Sequence, residues 1–212
     1  MATKRKKAVP IRRSPRQARA VASVEAILGA AAHILERHGR SGFTTNAIAE
    51  RAGVSIGTLY QYFPDKAEIL LALAKRFLAE DRAAVFAAIQ QAMAGPEPEL
   101  DRAAIREGMR RYELQPKVRR IVMETMIGLG RLEEVSGPVQ DIGALLSQST
   151  ERGGLDEAAW NLRLFVGTRA VEAVIRAAAY ENKPFFATRQ FEDELVLLAR
   201  GLLPQLVPRR GT

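Results

Sequence analysis

From residue 21 onward, apolar positions recur at intervals of three and four, the period of a helix face laid against a core. Val21, Val24, Leu28, Ala31 and Leu35 mark the first such face. Ala30, Ala31 and Ala32 raise helix propensity, and His38-Gly39 fits a C-terminal stop, so a helix is predicted over about 17–38. A short helix follows over 45–52, capped by Thr44 or Thr45 and ended by the left-handed turn that Gly53 permits. Ser55 caps a second short helix over 56–62. Pro64-Asp65 opens a long helix to about 93, with Ile69, Leu70, Leu73, Phe77, Val85 and Ile89 on its apolar face. Gly95-Pro96-Glu97-Pro98 breaks it. The same period continues over about 99–113, 117–131, 134–151, 156–181 and 188–203, with Gln115-Pro116, Gly153-Gly154 and Lys183-Pro184 near the breaks. No Val/Ile/Thr alternation bounded by hairpin turns is present, so no sheet is expected. The expectation is an all-α chain of about nine helices.

Composition narrows the classes. A hydrophobic share of 47% is too high for global disorder. No apolar run approaches the roughly 20 residues that span a bilayer, and no membrane partner is expected. The charged N-terminus has no apolar core behind it, so a secretory signal is not expected either. The chain has no Cys, hence no disulfide framework, thiol nucleophile or thiolate metal site, which suits a reducing cytoplasm. Enzyme chemistry finds no foothold. His33 and His38 lie five apart on one helix, the wrong spacing for a metal pair on one face. Glu133-Glu134 is explained by a helix start. Gly128-Leu129-Gly130 lacks the further glycine and the preceding strand of a nucleotide-binding turn. No enzyme activity, cofactor or metal is expected.

Charge adds a sharper feature. The chain holds 32 Lys and Arg against 24 Asp and Glu, a net +8. Residues 1–19 contain eight of those cations and no acid, which leaves 24 of each sign over residues 20–212. The excess is therefore a basic arm on a neutral body. Residues 1–16 read as a disordered arm, with Lys4, Arg5, Lys6, Lys7, Arg12 and Arg13 available to phosphates or to a minor groove.

The two short helices, joined by Ala52-Gly53-Val54-Ser55, make a helix-turn-helix. Ala49 is small where the helices cross, and Val54 and Leu59 point into the core. The second helix would enter a major groove by its N-terminal end. There Thr58 suits a thymine methyl or a base edge, and Gln61 suits adenine. Tyr60 and Tyr62 offer hydroxyls to phosphates. Lys66 sits in the first turn of the next helix, where a phosphate would be held by the lysine and by free backbone N–H groups.

Phe43-Thr44-Thr45, Ile48-Ala49, the run from Ala52 to Phe63 and then Lys66 together resemble the TetR/AcrR family of transcriptional regulators. The resemblance is specific over about 20–80 and only architectural over 95–212. It implies an all-helical homodimer. An N-terminal three-helix DNA-binding domain (17–64) would precede a larger helical domain for effector binding and dimerisation (65–212). It further implies that Thr45, Ser55, Ile56, Gly57, Thr58, Tyr60, Gln61, Tyr62 and Lys66 lie at the DNA-binding helix-turn-helix. Ile56 departs from the polar or basic residue usual at its place, and its role there is apolar contact or close backbone approach.

A partner subunit also follows from reach, because one seven-residue recognition helix spans only a few base pairs and a second copy about 34 Å away is needed for specificity. The last two helices are apolar enough to supply a four-helix interface, with Arg169, Val171, Val174, Ile175, Phe191, Leu195, Leu198 and Leu202 as candidates. For an effector cavity between helices the candidates are Met109, Tyr112, Met123, Met126, Ile127, Trp160, Leu164 and Phe165, with Arg106 and Arg163 as polar contacts. The reading that follows is a homodimeric repressor released from a palindromic DNA operator by a small hydrophobic effector. An activator of the same fold and a non-specific DNA-binding protein are the competing readings.

Overall fold

In the computed structural model, the described residues are 15–96, 99–131, 146 and 154–203, with side chains from residue 18. They form eight helices and no strand. These are α1 (Pro15–Gly42), α2 (Thr45–Ala52), α3 (Ile56–Tyr62), α4 (Lys66–Met93), α5 (Leu100–Glu113), α6 (Pro116–Gly128), α7 (Glu157–Tyr180) and α8 (Arg189–Leu202). Residues 1–14 of the predicted arm lie outside the described residues, while Pro15 and Arg16, expected in the disordered arm, open α1; all of the predicted helix over 134–151 except Leu146 also lies outside.

Local chemistry sets the ends. Asp65, Asp156 and Thr188 cap α4, α7 and α8 by accepting first-turn backbone N–H groups. Pro116 stands at the first position of α6, where its missing N–H costs nothing. The predicted stop of α1 at Gly39 is real in the backbone, which turns to φ 63° there. One more turn follows before Gly42, so the helix outruns the prediction. Its buried face is also rotated. Ile27 and Ile34 join Leu28, Ala31 and Leu35 in the core, while Val21 is exposed. Residues 18–42 contain an 18-residue window of mean hydropathy 1.4, enough by length and composition to cross a bilayer. That window includes Glu25 and is not an unbroken apolar run, and the apolar side of α1 is spent on the protein's own core.

Three clusters of buried side chains form the interior. The first gathers residues of α1 to α4 together with Val118, Val122 and Met126 of α6. The second joins Val85 and Ile89 of α4 to Leu100, Leu146, Trp160, Leu164 and Leu203. The third packs Ile105 and Met109 of α5 against Ile175, Leu195, Val196 and Ala199. Thus α6, although distant in sequence, is built into the core that carries the helix-turn-helix. Polar contacts fix it there. Glu36 of α1 accepts from the Val118 N–H at 3.3 Å. Arg40, one residue beyond the kink, donates to Thr125 Oγ1 at 3.0 Å and to the Ile121 carbonyl at 3.2 Å. Arg131, past the end of α6, pairs with Glu68 in the first turn of α4 at 2.8 Å.

The N-terminal half of α6 is tied to α4 by a buried ion-pair group. Arg119 donates to both oxygens of Asp81, at 2.7 and 2.9 Å, and to the Leu114 carbonyl at 2.9 Å. Arg111 donates to Asp81 at 2.7 Å. The Arg119 guanidinium also lies 4.7 Å from the centre of the Phe77 ring. Asp81 therefore bridges two guanidinium groups where α4, α5 and α6 meet, with Glu80 3.4 Å from Arg111 as a second carboxylate.

Candidate nucleic-acid interface

The turn between α2 and α3 is built from three local interactions. The Thr44 side chain accepts from Ala47 N–H at 3.2 Å and starts α2. Gly53 ends it at φ 68°, ψ 29°, a conformation that costs an L-residue about 1–2 kcal/mol. Its N–H returns to Glu50 O at 3.1 Å, and Val54 N–H returns to Ala49 O at the same distance. Ser55 then caps α3, its oxygen accepting from Thr58 N–H at 3.0 Å. Behind this turn Ile48, Ala49, Leu59 and Phe63 are buried, while Val54 is half-buried against the same cluster. Both short helices begin and end where the sequence places them, because each boundary depends on one neighbouring side chain.

The opposite face of α3 is open. Ile56 is 39% exposed and Tyr60 is 50% exposed. Gly57 and Gln61 are exposed beside them, and Thr58 is half-buried. A Cβ built on Gly57 would have only Ser55 Oγ within 4 Å, at 3.8 Å. The backbone at Gly57 is helical, so neither packing nor dihedral angle within the chain calls for glycine. Two hydroxyls on this face are already engaged. Thr58 Oγ1 lies 2.8 Å from Ser55 Oγ, and Tyr60 Oη lies 3.2 Å from Thr45 Oγ1. The second contact ties the first residue of α2 to the middle of α3, a link that residue spacing does not disclose.

Two sequence expectations need revision here. Tyr62 is half-buried against the first cluster, which limits its ring to the edge of the face. The start of α4 does not offer a full set of free N–H groups either. Asp65 Oδ1 accepts from Ala67 N–H at 2.7 Å and from Glu68 N–H at 3.0 Å, leaving the exposed Lys66 as the cationic group at that end.

Residues 27–73 match the sequence model of the family described as bacterial regulatory proteins, tetR family. Those residues contain the whole capped turn and its buried support. Over those residues the chain is similar to the tetR family of bacterial regulators. It is also 44% identical over 52 residues to the HTH-type transcriptional repressor KstR of Rhodococcus jostii (strain RHA1). That match spans 24% of this chain and 24% of the repressor. Among solved structures, the multidrug binding protein EbrR complexed with malachite green superposes with a TM-score of 0.63 at 16% identity, covering 86% of this chain and 98% of that one. The fatty acid degradation regulator FadR from Bacillus halodurans superposes with a TM-score of 0.62 at 19% identity, covering 85% and 97%. These two likenesses show the fold, including the helical region after α4 that the family match does not reach.

In that region a cavity of about 120 Å³ opens between α4, α5, α7 and α8. Ala104, Ile105, Gly108, Val171, Ile175 and Leu203 supply most of its apolar wall. Its polar corner is Tyr112, which donates to Glu172 Oε1 at 2.9 Å. Arg176 holds the same carboxylate at 2.8 Å. Burial raises the Tyr112 hydroxyl well above its ordinary pKa, and the Glu172 charge adds to the rise, so the hydroxyl keeps its proton as a donor. Tyr180 packs edge-on against Tyr112 at 5.8 Å and is itself pushed up to about 12 by burial.

Of the effector-site candidates named from sequence, only Tyr112 lines this cavity. Met126 is fully buried in the first cluster, and Met123 packs against that cluster. Trp160 and Leu164 are buried in the second cluster, while Met109, buried in the third, also lines with Arg106 a separate cleft of about 410 Å³ beside the start of α8. Ile127, Arg163 and Phe165 face outward. Arg106 is engaged with Glu192 at 2.8 and 3.0 Å. Helical period identifies large residues that turn inward. A cavity forms where side chains are small, and Ala104-Gly108 on α5 with Gly167 on α7 is the signal that size alone would have passed over.

The interface candidates divide in the same way. Ile175 and Leu195 are buried within the chain, and Val171 lines the cavity. Phe191 packs against the third cluster and Leu202 against the second. Val174 and Leu198 remain exposed, and the half-buried Arg169 places its guanidinium 5.2 Å from the Phe165 ring centre. With them stand exposed residues absent from the candidate set: Leu162, Val166 and Leu197, plus Phe165 itself at 60%. Leu162, Phe165, Val166 and Arg169 follow a strict three-and-four spacing along α7, a stripe on its outer side.

Proposed function

We propose that the protein is a cytoplasmic transcription regulator that binds a palindromic operator as a homodimer and is released from it by a small apolar effector. The observation that carries the DNA reading is the open face of α3 around Gly57. A helical glycine costs about 0.5–1 kcal/mol relative to alanine, and nothing among the described residues accounts for it. An external surface that must approach the backbone closely does. Ile56, Thr58, Tyr60, Gln61 and Tyr62 frame that approach, with Thr45, Ser55 and Lys66 at its edges. The repressor sense is supported by the 52-residue likeness to KstR, described as an HTH-type transcriptional repressor.

The outer stripe on α7, together with Leu197 and Leu198 on α8, supports the second copy. A contiguous apolar patch on a soluble chain marks an interaction surface. Two copies meeting about a two-fold axis cover the same stripe on each other. The cavity supports an apolar effector, as does the likeness to EbrR, described as a multidrug binding protein. Coupling would run through α6. It borders the cavity's neighbourhood through Tyr180, whose hydroxyl donates to the Arg119 carbonyl at 3.3 Å, and it grips α1 through Arg40. An effector shifts the equilibrium only as far as it prefers the non-binding arrangement.

Selection of bound fragments from genomic DNA tests this function. It should enrich one inverted repeat whose half-sites lie about 34 Å apart along the duplex. Enrichment of unrelated sequences would refute it. Gly57→Ala adds a second check. The variant should keep or slightly raise the thermal midpoint and yet bind the operator about 10-fold more weakly, because the added methyl intrudes where DNA backbone or bases must fit. Equal loss of stability and binding would argue for a purely structural glycine.

The arm also has an expected measurement. Deleting residues 1–14 removes six cations per subunit, so the slope of log affinity against log salt should flatten by at most about five per subunit. An unchanged slope would mean that the arm does not follow phosphates.

A further inference from the structure

The exposed side chains of α3 have a chemical bias that narrows what they can read. Between Ser55 and Tyr62 there is no Arg, Lys, Asp or Glu. The strong bidentate contact to guanine comes from Arg or Lys, and the contact to the cytosine amine from Asp or Glu. Neither is available from this helix. Ile56 stands instead at its first position, 39% exposed and outside all three buried clusters. A β-branched residue there serves neither helix propensity nor the core. Tyr60, one turn further on the same side, has its hydroxyl tied to Thr45, which leaves the ring beside Ile56 as its free surface. The Thr58 hydroxyl is likewise turned to Ser55. The face is thus more apolar than its composition implies.

The major groove offers one apolar group along the base edges, the 5-methyl of thymine. We propose that Ile56, flanked by the Tyr60 ring, recognises a thymine methyl in each operator half-site, and that this contact, rather than a guanine contact, fixes the preferred base at that position. Gly57 allows the short side chain to reach it, because no Cβ holds the helix away from the groove. The inference rests on the DNA-binding reading above and adds the identity of the base that Ile56 selects.

The test uses the inverted repeat obtained by selection, with each thymine replaced singly by deoxyuridine, which removes the methyl and nothing else. For the full-length protein, one thymine per half-site should show a loss of roughly 4-fold, or about 15-fold when both half-sites are changed. Ile56→Ala should bind thymine and uracil duplexes alike at that position while keeping its thermal midpoint. If the unaltered protein binds every uracil duplex as well as the parent, the inference is overturned. It is also overturned if Ile56→Ala still distinguishes the two bases. If selection enriches no sequence at all, the DNA-binding reading itself fails, an outcome distinct from a specific operator that is indifferent to uracil.

Discussion

Replacing Phe165 with glutamate should convert the proposed dimer to monomers and lower affinity for the proposed operator by about 10³-fold or more. Phe165 is 60% exposed in the single chain and contributes to no buried cluster. Its neighbours on the stripe are Leu162, Val166 and the Arg169 guanidinium above its ring. A two-fold axis near this stripe would bring two introduced carboxylates into one desolvated patch, where unpaired charge is heavily penalised. A monomer has one recognition helix and retains little beyond the electrostatic, sequence-independent term. The chain itself should stay folded, since an exposed side chain is being exchanged. Analytical ultracentrifugation, circular dichroism and operator titration of the same sample separate the two effects. A variant that remains dimeric would move the interface elsewhere. A monomer with undiminished operator affinity would remove the need for a partner.

Asp81→Ala should cost about 3–5 kcal/mol of stability, read as a shift in the urea midpoint at constant slope. The residue is 21% exposed at its side chain, and its partners Arg119 and Arg111 are 8% and 13% exposed. Removing Asp81 takes the carboxylate from Arg119 and leaves Arg111 with Glu80 at 3.4 Å, two poorly hydrated guanidinium groups where α4, α5 and α6 meet. Arg119 keeps only its bond to the Leu114 carbonyl and its place over Phe77. The control is to remove both charges. Asp81→Leu combined with Arg119→Met should recover most of the loss, because a buried pair replaced by apolar groups of similar volume is often close to neutral. A loss below about 1 kcal/mol in the single variant would show that water reaches the pair freely.

How much of this could be read in advance follows the range of the interactions. The ends of α2 and α3 depend on Thr44, Gly53 and Ser55, each acting over two to four residues, so the sequence displays them directly. Gly39 is a similar case, though the extra turn to Gly42 rests on contacts made by Arg40 with α6, more than 80 residues away. The place of α6 in the first core was not legible, because Val118, Val122 and Met126 carry the same periodic signal as any buried face. Periodicity does not name the partner of a face. For the same reason Met126 and Trp160 looked like cavity walls and proved to be solid core, while Phe165 looked internal and proved to be outermost. Asp65 could have been recognised as the cap of α4 by its position before Lys66. Its oxygen takes two of the N–H groups expected to hold a phosphate there, and Lys66 stays exposed beside them. At the DNA face the residue types were legible. The pairing of Thr45 with Tyr60 and of Ser55 with Thr58 was not, and those pairings decide which surfaces remain for a base.

Regulation at an operator requires discrimination between DNA sequences by α3 in the proposed two-fold dimer. Equilibrium competition between the selected inverted repeat and a random duplex of equal length, at about 150 mM salt, measures it. The expected preference is about 10³-fold or more. A ratio near one would show that the basic arm and exposed lysines hold DNA without reading it, and would contradict the account.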